Sequence, residues 1–304
     1  MFAGRLKNDT RGNKVNRSMR IRVLVLAAIV LMPGASLVAQ GTLERIAERG
    51  EFRIGYDPDA RPLSFVENGE PSGYSVDICR RIAVGIREHL RLPDMRVTYV
   101  PINLDNRFDA VVNGDIDIEC ASTTITLGRQ ERVDFTLMTF VTGGTVLSMA
   151  QNRVATMEDL AGKRVAVIRG TTTEDALEAH LKEKLIDARV VKVTDANDGL
   201  ARLQKGDVDA YASDQVVLIG DAMKALDANS KLNFSFADEL FSYEPYGLMV
   251  KRDDAEFRLV ANRVIAQIFR SGQFAQLYQD WIGSVGLKPS PMLVAMYQVQ
   301  ALSE

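Results

Sequence analysis

Ser122-Thr123-Thr124 closes the run that begins Glu119-Cys120-Ala121, and Arg129 follows five residues later. A guanidinium offers a planar fork that binds a carboxylate through two parallel charge-assisted bonds. The hydroxyls of Ser122 and Thr124, with nearby backbone N–H groups, add neutral donors beside it. This set suits capture of a carboxylate; the competing use of Arg129 is a surface ion pair with Glu131 or Asp134. About ninety residues on, Ser213-Asp214 ends another apolar stretch. Asp214 can accept hydrogen bonds from an ammonium group, or it can cap a helix over 215–226. Gly170-Thr171-Thr172 opens a helix, where free N–H groups and the helix dipole favour an anion. Plain capping is the other use of those threonines. One cationic wall and one acidic wall suit a zwitterion.

No catalytic set stands beside them. His89 and His180 fall on helix faces among charges and read as solvated surface residues. No nucleophile elbow, metal-ligand cluster or phosphate loop is visible, and Gly162-Lys163 lacks the upstream glycine of a nucleotide-binding loop. Binding without chemistry, cofactor or metal is the expectation.

The elements that must position these residues alternate between strand and helix. Residues 51–56 read as a strand. Ile78, Ile82, Ala83, Ile86 and Leu90 recur at helical spacing over 75–90. The β-branched stretch 96–102 is a strand, 106–112 a helix, and 115–120 a strand. The pattern then repeats: an N-cap at Thr156, a strand over 163–168, a helix over 174–185, strands over 189–193 and 208–212, and a helix over 198–204. This order implies an α/β fold with mainly parallel sheets flanked by helices.

An internal echo divides the chain. Val111-Val112-Asn113-Gly114-Asp115-Ile116-Asp117-Ile118 matches Leu203-Gln204-Lys205-Gly206-Asp207-Val208-Asp209-Ala210 in pattern. Each reads as a helix end, a left-handed glycine and a strand. Two similar lobes are expected, the first from residues 41–141 plus 246–304, the second from 142–245. Crossings fall near Val141-Thr142-Gly143-Gly144 and Glu244-Pro245-Tyr246-Gly247, where glycine can absorb the dihedral changes of a hinge. The stripe Phe257, Val260, Val264, Ile268, Phe274, Leu277 and Trp281 should pack on lobe one as core. Ligands of open α/β sheets sit beyond the carboxyl ends of the strands, which gathers the residues named above around one cleft.

Seven basic residues and one acid precede the apolar run Val23–Met32 and the small residues up to Gln40. That run is too short to span a bilayer, and the pattern reads as a secretory signal peptide over residues 1–40, cleaved after Ala39. Met19 is a candidate alternative start. The chain has 37 basic and 40 acidic residues; without the first forty the balance is close to −9. Such a charge argues against nucleic acid and anionic lipid as partners. Cys79 and Cys120 could pair in an oxidising compartment, but the favoured reading is two separate buried residues.

The motifs Thr42-Leu43-Glu44-Arg45-Ile46-Ala47, Gly73-Tyr74-Ser75-Val76-Asp77, Asn106-Arg107, Glu119–Thr124 with Arg129-Gln130, Gly170-Thr171-Thr172 and Tyr246-Gly247 carry a further signal. Through them, over residues 42–285, the chain resembles the periplasmic amino-acid-binding proteins of ABC transporters, solute-binding protein family 3, and most nearly its glutamate/aspartate binders. The resemblance implies a type II two-lobed binding fold, a periplasmic monomer, a free L-amino acid as ligand and an inner-membrane permease complex as partner. It implies that Arg129, Ser122 and Thr124 hold the α-carboxylate and Asp214 the α-ammonium. Thr171 and Thr172 would line the second lobe, and Arg107 would meet a side-chain carboxylate. Two positions depart from the acidic-ligand pattern: Asp57 stands where an arginine is usual, and Ala196 where a histidine is. Asp57 fits relatives that bind glutamine or basic amino acids. Acidic amino acids are placed first, glutamine or asparagine second. A rival from another class is a periplasmic dehydratase of the same fold, with Glu119, Asp57 or Asp214 as its catalytic carboxylate.

Overall fold

The computed structural model describes Met1, residues 40–283 and residues 287–304. The expected signal peptide and its cleavage site lie outside the described residues. The first half runs through α1 (Thr42–Arg49), β1 (Glu51–Tyr56), β2 (Asp59–Ala60), β3 (Ser64–Glu67), β4 (Glu70–Ser72), α2 (Tyr74–Leu90), β5 (Arg96–Pro101), α3 (Arg107–Asn113), β6 (Ile118–Glu119), α4 (Leu127–Gln130) and β7 (Val133–Thr142). The middle holds β8 (Gly144–Met149), β9 (Arg164–Ile168), α5 (Thr172–Glu183), β10 (Arg189–Val193), α6 (Ala196–Lys205), β11 (Ala210–Asp214), α7 (Gln215–Ala228) and β12 (Phe234–Phe236). The chain returns in β13 (Glu244–Lys251) and ends with α8 (Ala255–Arg270), α9 (Gln273–Trp281) and α10 (Pro291–Val299).

Two five-stranded sheets form, ordered β5-β1-β6-β13-β7 and β10-β9-β11-β8-β12. In each the fourth strand alone runs against its neighbours. The reversed strands are β8 and β13, the two that begin just after a crossing. The mainly parallel α/β architecture expected from the strand–helix alternation is therefore present twice. A small antiparallel sheet of β2, β3 and β4, which the periodicity did not announce, sits between β1 and α2.

The echoed motif does the same work in both lobes. Gly114 and Gly206 end α3 and α6 in left-handed conformation, at φ 76° and 75°. Each turn places an aspartate against the first parallel strand of its sheet. Asp117 accepts the Arg53 N–H at 2.9 Å, and Asp209 accepts the Arg164 N–H at 2.8 Å. The glycine turn also shortens β6 below the expected 115–120, because the N–H groups of Asp115 and Ile116 both return to the Ala110 carbonyl. Thr156 does not cap a helix as expected. Asp159 instead accepts the N–H groups of Ala155 and Thr156 ahead of a short 3₁₀ turn.

Lobe one is closed by helices whose apolar stripes meet the sheet. Ile78, Ile82 and Ile86 of α2 are fully buried with Phe52 and Ile54 of β1 and Phe257 and Ile265 of α8. The tail packs on lobe one as expected, and α10 adds Leu293, Met296 and Tyr297, whose hydroxyl meets that of Tyr74 at 2.8 Å. The reading of the two cysteines as separate is corrected. Cys79 of α2 and Cys120 after β6 form a disulfide, with Cα atoms 6.4 Å apart. The helix lies across the sheet so that the two side chains face each other.

The chain passes from β7 to β8 through Gly143. A Cβ there would lie 2.3 Å from the Ser242 carbonyl, and one on Gly144 would lie 2.6 Å from the Phe241 ring. The two crossing segments thus pack against each other, and close approach already explains the glycines that the sequence assigned to hinge freedom. No helix among the described residues is long and apolar enough to cross a membrane.

Candidate functional site

A cavity of about 340 Å³ lies where the carboxyl ends of β1, β5 and β6 face those of β9, β10 and β11. Asp57, Arg107, Ser122, Thr124, Arg129, Thr171, Thr172 and Asp214 all line it, as does Ala196. Residues more than 150 positions apart therefore share one small volume.

Arg129 belongs to this cavity and not to a surface pair. Thr126 caps the short helix α4 by accepting the Arg129 N–H at 3.1 Å, which fixes the backbone. The guanidinium then donates to the Thr124 carbonyl at 2.7 Å, leaving further donors without partners among the described residues. Asp134 turns instead to Arg258. Burial, followed by the neighbouring charge of Arg107, pulls the Arg129 pKa down to about 10, so it stays cationic at neutral pH. The Phe108 ring lies 5.3 Å from the Arg107 guanidinium and 5.8 Å from that of Arg129. Its face offers both cations a favourable surface where water is reduced. The Ser122 hydroxyl, half-buried beside them, has no protein partner among the described residues.

Arg107 is the first residue of α3 and is buried. The turn before it is stapled: Asn103 Oδ1 accepts the N–H groups of Asp105 and Asn106, and Asn106 Oδ1 accepts that of Asn103. Arg107 donates to the Thr123 hydroxyl at 2.8 Å, and that hydroxyl donates to Glu119 at 2.9 Å. Thr123 thus points inward while Ser122 and Thr124 line the cavity. Glu119 is fully buried; desolvation pushes its pKa up, with Arg107 opposing. Asp57, just past β1, accepts the Asp59 N–H through Oδ1, and its other oxygen has no partner among the described residues. Burial also raises the Asp57 pKa, against the pull of its own backbone hydrogen bond and of Arg107.

The second wall shows which of two residues caps its helix. Asp214 starts α7, yet its side chain makes no capping bond. Its carboxylate instead accepts Thr173 at 2.7 Å and the Tyr246 hydroxyl. Burial, with repulsion from Glu244, raises its pKa to about 6. Thr171 does cap α5: its hydroxyl accepts the Glu174 N–H and donates to the Ile168 carbonyl. It therefore contributes wall and backbone, with its hydroxyl already engaged. Thr172 reaches across the cleft to Thr124 at 3.2 Å and to Glu244 at 2.8 Å.

The sequence did not single out Glu244, Thr173 or Arg169. Glu244 is buried at the return crossing, held by Ser242 and Thr172. Its role follows from where the crossing brings it, and no local pattern marks it. The sequence marks Tyr246 by a motif and by the return crossing; its hydroxyl donates to Asp214. His89 is exposed, whereas His180 is half-buried against the Phe241 ring.

Two α/β lobes, joined by two adjacent crossings and enclosing a cavity with a cation on one wall and an acid on the other, define a solute-binding protein. The chain belongs to the bacterial extracellular solute-binding proteins, family 3, whose pattern matches residues 52–284. It is 31% identical over 259 residues to the L-glutamate/L-aspartate-binding protein of Pseudomonas aeruginosa, covering 84% of this chain and 85% of that one. It is 27% identical over 244 residues to the glutamine-binding protein GlnH of Bacillus subtilis, covering 79% and 84%. The crystal structure of the ancestral amino acid-binding protein AncCDT-1, a precursor of cyclohexadienyl dehydratase, superposes with TM-score 0.65 at 28% identity, covering 80% of this chain and 99% of that one.

Proposed function

We propose that this protein is the periplasmic capture component of an amino-acid ABC importer. It takes a free L-amino acid with an acidic side chain, glutamate or aspartate, and delivers it to a membrane permease after the lobes close. The observation that carries the reading is the convergence of Arg129, Ser122 and Thr124 from one lobe with Asp214 and the α5 N-terminus from the other. The first group suits the α-carboxylate and the second the α-ammonium. A ligand held by both lobes favours the closed state through its differential affinity. Arg107, and the ligand named for the Pseudomonas relative, support an acidic side chain.

A second reading, glutamine or asparagine, has a specific observation behind it. Asp57 brings a free carboxylate oxygen to the same cavity as Arg107. A donor and an acceptor together match the two ends of a primary amide.

Calorimetric titration with a panel of amino acids tests the proposal. The wild type should bind one class of polar amino acid with a stoichiometry of one. Arg129→Ala should lose every one of them by roughly 2–5 kcal/mol, the cost of removing one member of a buried charge pair. Undiminished binding by that variant would overturn the carboxylate assignment. Turnover of prephenate or arogenate in place of stoichiometric binding would overturn the transport reading.

A further inference from the structure

We propose that Arg169 is a specificity-determining cation that reads the side-chain carboxylate of the ligand from the second lobe. The inference rests on the amino-acid reading above and deepens it. Arg169 lines the cavity with an exposed side chain. It follows β9 directly, and its backbone N–H donates to the Val193 carbonyl at 3.1 Å. That bond sets it beside the loop after β10, whose Ala196 lines the same cavity with a small side chain.

The Arg169 guanidinium has no hydrogen-bond or ion-pair partner among the described residues. Glu174, close to it in sequence, and Asp195, on the neighbouring loop, are already engaged. Glu174 holds Lys192 at 2.5 Å and the Gly170 N–H, and Asp195 caps α6 while accepting the Thr194 hydroxyl. Asp59 is taken by Lys224 at 2.9 Å, and Asp214 by Thr173 and Tyr246. The other two cavity cations are partly satisfied, Arg129 by the Thr124 carbonyl and Arg107 by Thr123 backed by Glu119. Arg169 alone of the three has a guanidinium with no protein partner among the described residues.

With the α-carboxylate on Arg129 and the α-ammonium on Asp214, the charged group left for Arg169 is one on the ligand side chain. A carboxylate there would be held by Arg107 from lobe one and Arg169 from lobe two. It would then contribute to closure as well as to recognition. An amide would gain no such ionic contact with Arg169. Discrimination between acid and amide is thus placed on a residue of the second lobe, opposite Asp57.

Titration calorimetry of wild type, Arg169→Gln and Arg169→Lys against glutamate, aspartate, glutamine and asparagine tests this. Arg169→Gln should weaken the acids by about tenfold or more, the loss of one charge-assisted contact, and leave the amides within about threefold. Arg169→Lys should recover part of the loss for the acids. Added salt should weaken acid binding more in the wild type than in Arg169→Gln. Equal effects of Arg169→Gln on acids and amides, or none on either, would refute the role of Arg169 while leaving the amino-acid reading intact. A wild type that binds amides but no acid would do the same. A wild type that binds no amino acid at all would overturn both.

Discussion

Replacing Asp214 by asparagine should make the unliganded protein more stable and weaken its hold on an amino acid. Asp214 is buried, and its pKa rises from the ordinary 3.8 to about 6 through loss of solvation and the nearness of Glu244. A raised pKa means that the folded chain holds the proton more tightly than the unfolded one. Stability is then highest below about pH 4, falls as pH climbs to about 6, and stays low above it. At about 1.4 kcal/mol per pH unit, the ionised carboxylate costs the empty protein about 3 kcal/mol at neutral pH. Asparagine keeps the shape and an acceptor for Thr173 or Tyr246 but never ionises. Calorimetric unfolding of both proteins without ligand, from pH 4 to pH 8, should show no gap at the acid end. At neutral pH asparagine should lead by about 3 kcal/mol, or roughly 6–12 °C for a chain of this size. Amino-acid affinity should fall by at least roughly 2 kcal/mol, because the ammonium loses its charged partner. Wild-type affinity should itself weaken as pH drops below about 6, where Asp214 takes up its proton. A stability gap that does not change with pH would refute the burial cost. Full affinity in the asparagine variant would refute the ammonium site.

Three further outcomes are expected. Gly220 of α7 sits where a Cβ would lie 2.0 Å from the Arg61 carbonyl of the other lobe. Gly220→Ala should therefore hold the lobes apart and weaken every ligand by about tenfold without touching the site, as small-to-large changes at packed contacts cost roughly 1–3 kcal/mol. Calorimetry and solution scattering would reveal it, and unchanged affinity would show that this contact is not part of closure. Cys79→Ser with Cys120→Ser should lower unfolding stability by about 4 kcal/mol, from the 41-residue separation alone; a free-thiol count above zero on unreduced, denatured wild type would remove the basis for that figure. Asp57→Asn should shift preference between acids and amides more than it changes overall capture, read from the same calorimetric panel; a uniform loss across ligands would count against a selectivity role.

The alternation of strands and helices, the helical stripe of α2 and the echoed Gly-Asp turns were legible because each depends on residues a few positions apart. So was the grouping of Ser122, Thr124 and Arg129, which a single strand end and the short helix after it hold together. The rule for open sheets placed Thr171 and Asp214 with Ser122 and Thr124 at one cleft, and all four line the same cavity, since parallel strands present their carboxyl ends on one side; Asp57 was reached only through the family resemblance. The limits of that rule show at the same residues. Local sequence left Asp214 divided between cap and ligand partner; in the fold its side chain caps nothing and is held by Thr173 and Tyr246, 41 and 32 residues away. The sequence alone also could not join Cys79 to Cys120, link Thr172 to Glu244 at the return crossing, or leave Arg169 without an acid. Backbone periodicity is dictated by near neighbours. Distances between side chains far apart in the chain exist only once two sheets and two crossings have closed, and it is those distances that set charge, burial and partner at this site.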